Sequence, residues 1–197
     1  MALKKAHQSP GIKARAIQGL YALTPDGVET EELLRRVRLA LQGGVQVLQY
    51  RNKTADAMLR LQQARALREL TREFGVTFIA NDDAQLALVA DADGVHLGAS
   101  DGDIDSARAM LGHDKLIGVS CYSQLSLAHS AVQAGANYVA FGAFYASTVK
   151  PVAAVATLDL LRKARAELGV PMVAIGGISA ENGGELVQAG ADALAVI

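Results

Sequence analysis

Along the chain, short apolar runs alternate with longer stretches in which apolar residues recur at helical spacing. Ile17 to Leu23, Val45 to Gln49, Val76 to Ala80, Gly94 to Leu97, Lys115 to Val119, Tyr138 to Phe141, Pro171 to Ile175 and Ala193 to Ile197 read as strands. Glu29 to Gln42 reads as a helix with Leu33, Leu34, Val37 and Leu41 on one face and Thr30 as its cap. Thr54 starts a long helix through Met58, Leu61, Leu67 and Leu70 that stops before Gly75. Asp82 to Ala90, Asp103 to Leu111, Ser123 to Ala134, Thr157 to Leu168 and Ser179 to Ala189 complete a strict alternation of eight strands and seven helices.

Three helix-to-strand junctions are alike: Gln42-Gly43-Gly44-Val45, Gln133-Ala134-Gly135-Ala136 and Gln188-Ala189-Gly190-Ala191. Each puts glycine where a helix stops in a left-handed conformation before the next strand. Strict alternation fits a closed (β/α)8 barrel or an open doubly wound sheet. Eight units in this length, without Gly-x-Gly-x-x-Gly after the first strand, favour the α/β class as a (β/α)8 TIM barrel spanning 17–197. The pattern stops at Ile197 inside the eighth strand and the eighth helix is missing, which suggests a shortened chain or an unrecorded tail.

Composition narrows the setting. Hydrophobic residues make up 51% of 197 residues and aromatics only 5%, so one core must be built from Ala, Val, Leu and Ile, the palette of strands covered on both faces. Lys plus Arg (19) nearly balances Asp plus Glu (20), which argues against a nucleic-acid surface. A single cysteine, Cys121, allows no internal disulfide and fits a reducing, cytoplasmic compartment. Residues 1–16 carry Lys4, Lys5, Lys13 and Arg15 without a signal-peptide core and read as a mobile arm; no run approaches membrane-span length, so no membrane partner is expected.

In a barrel of this kind chemistry gathers at the carboxyl ends of the strands. The polar residues found there are Gln49, Arg51 and Lys53 after the second strand, Asn81 and Asp82 after the third, and His96, Gly98 and Asp101 after the fourth. Ser120 follows the fifth, the segment 142–150 the sixth, and Gly176-Gly177 the seventh. Two cations beside an amide suit an anionic, hydrogen-bonding ligand. Gly176-Gly177 before a helix suits backbone approach to a phosphate, or simply a tight turn. Asp82 and Asp101 suit magnesium on phosphates, or helix caps. Lys150 could reach a second anionic group, or be a solvated loop lysine. His96 reads equally as a buried, hydrogen-bonded histidine or a ligand, Cys121 as core, and Asp83, Asp91 and Asp93 as exposed or locally capping.

Taken together, Gln49-x-Arg51-x-Lys53, Asn81-Asp82, Gly94 to Gly98 with Asp101, Gly118-Val119-Ser120, Phe141-Gly142 with Ser147 to Lys150, and Ala174 to Ile178 resemble thiamine-phosphate synthase. The resemblance spans strands two to seven. It implies a (β/α)8 barrel transferase of thiamine biosynthesis that joins hydroxymethylpyrimidine diphosphate to thiazole phosphate and releases pyrophosphate. It further implies that Gln49, Tyr50, Arg51, Asn52, Lys53, Asn81, Ser120 and Lys150 hold the pyrimidine diphosphate, with Arg51, Lys53, Ser120 and Lys150 catalytic. Asp82 and Asp101 would bind Mg²⁺, and Ser147, Thr148, Gly177 and Ile197 the thiazole phosphate. The expected partners are small phosphorylated substrates; oligomeric state is left open.

Four positions depart from the family pattern: Val149 in the loop after strand six, Ala99-Ser100 after strand four, Tyr122 where many relatives carry His, and the absence of a serine after Ile197. The alternatives are the related thiazole tautomerase, which uses a His near the position of Tyr122, and a non-catalytic phosphate-binding barrel. The cation and aspartate set favours the synthase over both.

Overall fold

Alternation along the strands decides the architecture, because successive side chains point to opposite faces. In β2 (Val45–Tyr50), Val47 and Gln49 face one way while Leu48 and Tyr50 face the other and join a different core cluster. The computed structural model describes residues 17–98, 103–146 and 156–197. Within them, β1 (Gly19–Leu23), β2, β3 (Thr77–Asn81), β4 (Gly94–Leu97), β5 (Leu116–Tyr122), β6 (Tyr138–Gly142), β7 (Met172–Ile175) and β8 (Ala193–Val196) pair in parallel in sequence order. β8 pairs back onto β1 through Gly19↔Ala193 to Ala22↔Val196, and the barrel is closed.

The helices are α1 (Thr30–Gln42), α2 (Ala57–Phe74), α3 (Ala84–Val89), α4 (Ile104–Leu111), α5 (Leu125–Gln133), α6 (Leu158–Glu167) and α7 (Gly183–Gln188). Element number and order are therefore as the sequence pattern predicts; several starts are not. Thr30 is the first residue of α1 rather than its cap, and Glu29 before it makes no side-chain capping bond. α2 begins three residues after Thr54, because the Asp56 carboxylate accepts from Leu59 N at 2.8 Å. Met58 therefore falls in the first turn and is 84% exposed. α3 is capped by Asp83, not opened by Asp82. The barrel interior is lined by Tyr21, Val47, Ile79, Tyr138, Val173 and Ala193 among others, and two further clusters fill the space beneath the helices. The predicted arm, 1–16, lies outside the described residues.

The floor of the barrel carries a repeat that has a sequence signature, Ala92-Asp93-Gly94-Val95, Ala136-Asn137-Tyr138-Val139 and Ala191-Asp192-Ala193-Leu194. In each, the acid or amide precedes an even-numbered strand. Its oxygen accepts a backbone N–H of the strand before, from Phe78, Ile117 and Met172 respectively. The same side chain also receives a guanidinium from the helix that precedes the odd-numbered strand: Arg68 of α2, Arg108 of α4 and Arg165 of α6. The clasp fixes each strand's starting register with a side chain where the ladder has no further backbone partner. Asp93, expected to be exposed or a local cap, is thus a structural clasp.

No helix among the described residues is long and apolar enough to cross a membrane.

Candidate active site

The carboxyl end of β2 is built from three layers of bonding. Gln49 points into the barrel, 3% exposed, and its Nε2 donates to Tyr21 Oη at 3.0 Å. Tyr50 points the other way, toward α2, and donates to Gln63 Oε1 at 2.8 Å. Asn52 donates to the same Gln63 oxygen at 3.1 Å, while its Oδ1 accepts from the Thr54 and Ala55 amides. Gln63, fully buried, completes its set by donating to Val28 O at 2.9 Å. Tyr50 and Asn52, expected among the substrate contacts, border the groove at the rim and use their polar atoms to anchor the loop. Gln63→Leu should orphan both and lower the unfolding free energy by about 1–3 kcal/mol, measurable by denaturant titration.

Arg51 and Lys53 emerge at the rim already paired. Arg51 Nη1 contacts Asp26 Oδ2 at 2.5 Å, and Asp26 Oδ1 accepts from Lys53 N at 2.8 Å. Thr24 Oγ1 holds the Arg51 backbone in both directions, accepting from its N and donating to its O. Asp26 and Thr24 follow β1 and are absent from the residues that sequence reasoning selected. A polar segment after the first strand was the available signal.

After β3, Asp82 has φ of +62°, a left-handed conformation that an aspartate tolerates better than most residues. The turn takes its carboxylate away from the helix and to Lys53 Nζ, 3.0 Å away. Capping is left to Asp83, which accepts from Leu86 N at 2.8 Å and meets Arg60 at 3.5 Å. Lys53, Asn81, Asp82 and Arg60 line a groove of about 470 Å³. Asp83→Ala should cost about 1 kcal/mol of stability through loss of the cap, read as a shift in thermal midpoint with turnover nearly unchanged.

Deeper in the mouth, His96 and Ser120 share a hydrogen bond of 2.9 Å between Nε2 and Oγ. His96 Nδ1 meets Tyr138 Oη at 3.1 Å, and Tyr138 Oη meets Tyr21 Oη at 3.1 Å. Gln49, His96 and Ser120 border a cavity of about 30 Å³ in the barrel interior. A serine on a histidine invites comparison with a nucleophile and its base. Here the outer nitrogen faces a phenol instead of a carboxylate, and burial pushes His96 down to about 4 despite the opposing pull of Asp82. Such an imidazole is a poor base at neutral pH. Cys121 faces the helical layer, and burial pushes its thiol up to about 12, so it is no nucleophile either.

The Gly176-Gly177 turn has a local reason: a Cβ on Gly176 would stand 2.6 Å from Ala143 Cα and one on Gly177 2.7 Å from Ala146 O. Both glycines also have positive φ, at 106° and 62°. The helix expected to begin at Ser179 begins at Gly183 and has six residues. Asn182 causes the delay by accepting from Ser179 N and donating to Gly177 O. Gly177 therefore does not stand at a helix N-terminus. Ile197 follows β8 and is 78% exposed. Asp101, Ser147, Thr148 and Lys150 lie outside the described residues.

The rim thus gathers Arg51, Lys53, Asn81 and Asp82 above a floor of Gln49, His96 and Ser120. Among the described residues it offers fixed charge and hydrogen bonds and lacks an activated nucleophile. No group of three or more His, Cys, Asp or Glu residues among those described could by itself hold a metal ion.

A family model described as thiamine monophosphate synthase matches residues 20–197. The thiamine-phosphate synthase of Methylobacillus flagellatus is 54% identical over 181 residues, covering 92% of this chain and 86% of that protein. That of Chromobacterium violaceum is likewise 54% identical over 181 residues, covering 92% and 87%. Among solved structures, the thiamine phosphate pyrophosphorylase of Pyrococcus furiosus superposes with a TM-score of 0.82 at 36% identity, over 93% of this chain and 87% of that one.

Proposed function

Because the chain belongs to the thiamine monophosphate synthase family, we propose that it joins hydroxymethylpyrimidine diphosphate to thiazole phosphate, giving thiamine phosphate and pyrophosphate. The observation that carries this reading at the site is the pairing of Lys53 with Asp82 beside Arg51, above Gln49 and Ser120. Breaking the carbon–oxygen bond to the leaving diphosphate concentrates negative charge on its oxygens and leaves a pyrimidine-methyl cation. The thiazole nitrogen then captures that cation with its lone pair. Fixed cations lower the barrier because they meet charge that grows only in the transition state. Neither a general base nor a protein nucleophile is needed, in keeping with a neutral His96 and a buried Cys121.

Asp82 fits a magnesium site in kind. Its carboxylate is a hard oxygen donor, turned off the helix by the backbone and opening onto the groove, and magnesium takes one or two carboxylates with substrate phosphates. Asp82 with Asp101 would hold the ion, which supplies charge neutralisation on the leaving pyrophosphate. Lys53 and Arg51 would then exchange part of their carboxylate contacts for phosphate oxygens. Ser147, Thr148, Lys150, Gly177 and Ile197 complete the proposed site on the thiazole-phosphate side.

The test is a coupled assay for thiamine phosphate from both substrates, with and without Mg²⁺. Metal-dependent product formation is expected. Thiazole tautomer exchange without coupling would replace the reading with the tautomerase, against which Tyr122 stands, exposed at the end of β5 where that enzyme has a His. Binding without turnover would leave only a phosphate-binding barrel. In the same assay Lys53→Ala should lower kcat/KM by about one to two decades, the loss of one charge-assisted contact. Unchanged kinetics would remove Lys53 from the site.

A further inference from the structure

The hydrogen bonds beneath the mouth form one unbroken line across the barrel: Gln49, Tyr21, Tyr138, His96, Ser120. We propose that Tyr21, Tyr138 and His96 are positioning residues whose shared chain fixes Ser120 as a hydrogen donor and Gln49 as a paired donor and acceptor for the pyrimidine ring. The inference rests on the reading that Gln49 and Ser120 touch that ring.

Each hydroxyl has one hydrogen, and a buried hydroxyl must place it on an acceptor, so the bond from Gln49 favours one direction along the whole line. Gln49 Nε2 donates to Tyr21 Oη, and the proposed direction has Tyr21 place its hydrogen on Tyr138, the hydroxyl on its other side. Tyr138, having accepted from Tyr21, donates its only hydrogen to His96 Nδ1. Nδ1 is then an acceptor, and the neutral ring carries its hydrogen on Nε2, which donates to Ser120 Oγ. Ser120 has accepted at its oxygen, so its own hydrogen is left for an acceptor in the mouth. On the other side, Gln49 keeps its second N–H and its Oε1. An N–H beside a C=O matches the ring nitrogen and amino group of an aminopyrimidine, as amides match adenine in a groove.

The sequence invests in this line. Tyr138 can lie across the interior only because Gly118 faces it from β5; a Cβ there would stand 1.9 Å from the phenol carbon that bears the hydroxyl. Tyr21 and Tyr138 are both fully enclosed, and burial drives both phenols upward from their ordinary value. They remain hydroxyls and donors throughout the working range. Apolar residues would fill the same space, so the two phenols are better explained by the chain than by packing.

Tyr138→Phe keeps the ring and cuts the chain in the middle. Expected is a fall in kcat/KM for the pyrimidine diphosphate of about tenfold or more, with KM for thiazole phosphate unchanged. A merely structural role would disturb both substrates alike. The second readout is the tautomer of His96 by long-range proton–nitrogen correlation on ¹⁵N-labelled protein, its signal identified by loss in His96→Asn. The wild type should carry the hydrogen on Nε2, and Tyr138→Phe should populate the other tautomer. A wild-type His96 protonated at Nδ1 overturns the proposal, as does wild-type kcat/KM in Tyr138→Phe. If that variant fails to fold, Tyr21→Phe cuts the same chain one bond earlier and is read by the same criteria. Ser120→Ala separates the two layers of inference. Full activity there removes Ser120 from the substrate, and the positioning role with it. Impaired Ser120→Ala with unimpaired Tyr138→Phe removes the positioning role alone.

Discussion

Arg51→Ala is expected to lower kcat by about a hundredfold to a thousandfold, the usual effect of removing one preorganised donor from developing negative charge. Two features make this the largest expected effect on turnover. The guanidinium is held before substrate arrives, by Asp26 at its tip and by Thr24 on its backbone, so little reorganisation is required when the leaving group forms. It is also only 29% exposed, which leaves its field less screened than that of Lys53 at 55%. Arg51→Lys keeps the charge but not the fork, and should recover only part of the loss. The fold should survive, because Asp26 retains the Lys53 amide and is partly in water. Steady-state kinetics against each substrate decide the matter. A raised KM for the pyrimidine diphosphate with kcat unchanged would make Arg51 a ground-state clamp and nothing more.

Asp26 illustrates what the sequence could and could not convey. The alternation of strands and helices is strong because interior and exterior faces each need apolar residues at their own period, and the barrel follows from it. Gln49, Arg51, Lys53, Asn81, Asp82 and Ser120 stand at strand ends in sequence and at the rim or floor of the mouth in the structure. Their partners are less visible, since a partner is chosen by barrel closure: Asp26 and Arg51 are 25 residues apart, Tyr21 and Tyr138 117. The division of labour between Asp82 and Asp83 was hidden for another reason. Neighbouring aspartates before a helix are equal candidates for its cap, and a left-handed φ at the first decides between them. The late start of α7 has the same local character, a side-chain amide outcompeting the helix for Ser179 and Gly177. The Ala-Asp/Asn repeat before β4, β6 and β8 was present as sequence but carried no meaning until the odd strands supplied the amides it binds.

That repeat yields the largest expected effect on stability. Asp93→Ala should lower the unfolding free energy by about 3–5 kcal/mol, the cost of leaving a buried charge without its partner. Arg68 is 9% exposed and forks onto both Asp93 oxygens at 2.8 and 2.9 Å, and its Nε already lacks a hydrogen-bond partner. Deleting Asp93 would also strand the Phe78 amide, whose bond to Oδ2 is 2.9 Å. At this chain length such a loss lowers the thermal midpoint by roughly 10 °C or more. Asp192 occupies the corresponding place before β8, but its partner Arg165 is 42% exposed, so water replaces much of the lost pairing. Asp192→Ala should therefore cost only the stranded Met172 amide, about 1–3 kcal/mol. Parallel melting of the two variants tests whether burial of the arginine, rather than the clasp geometry they share, sets the penalty. Equal losses would place the energy in the backbone bond common to both.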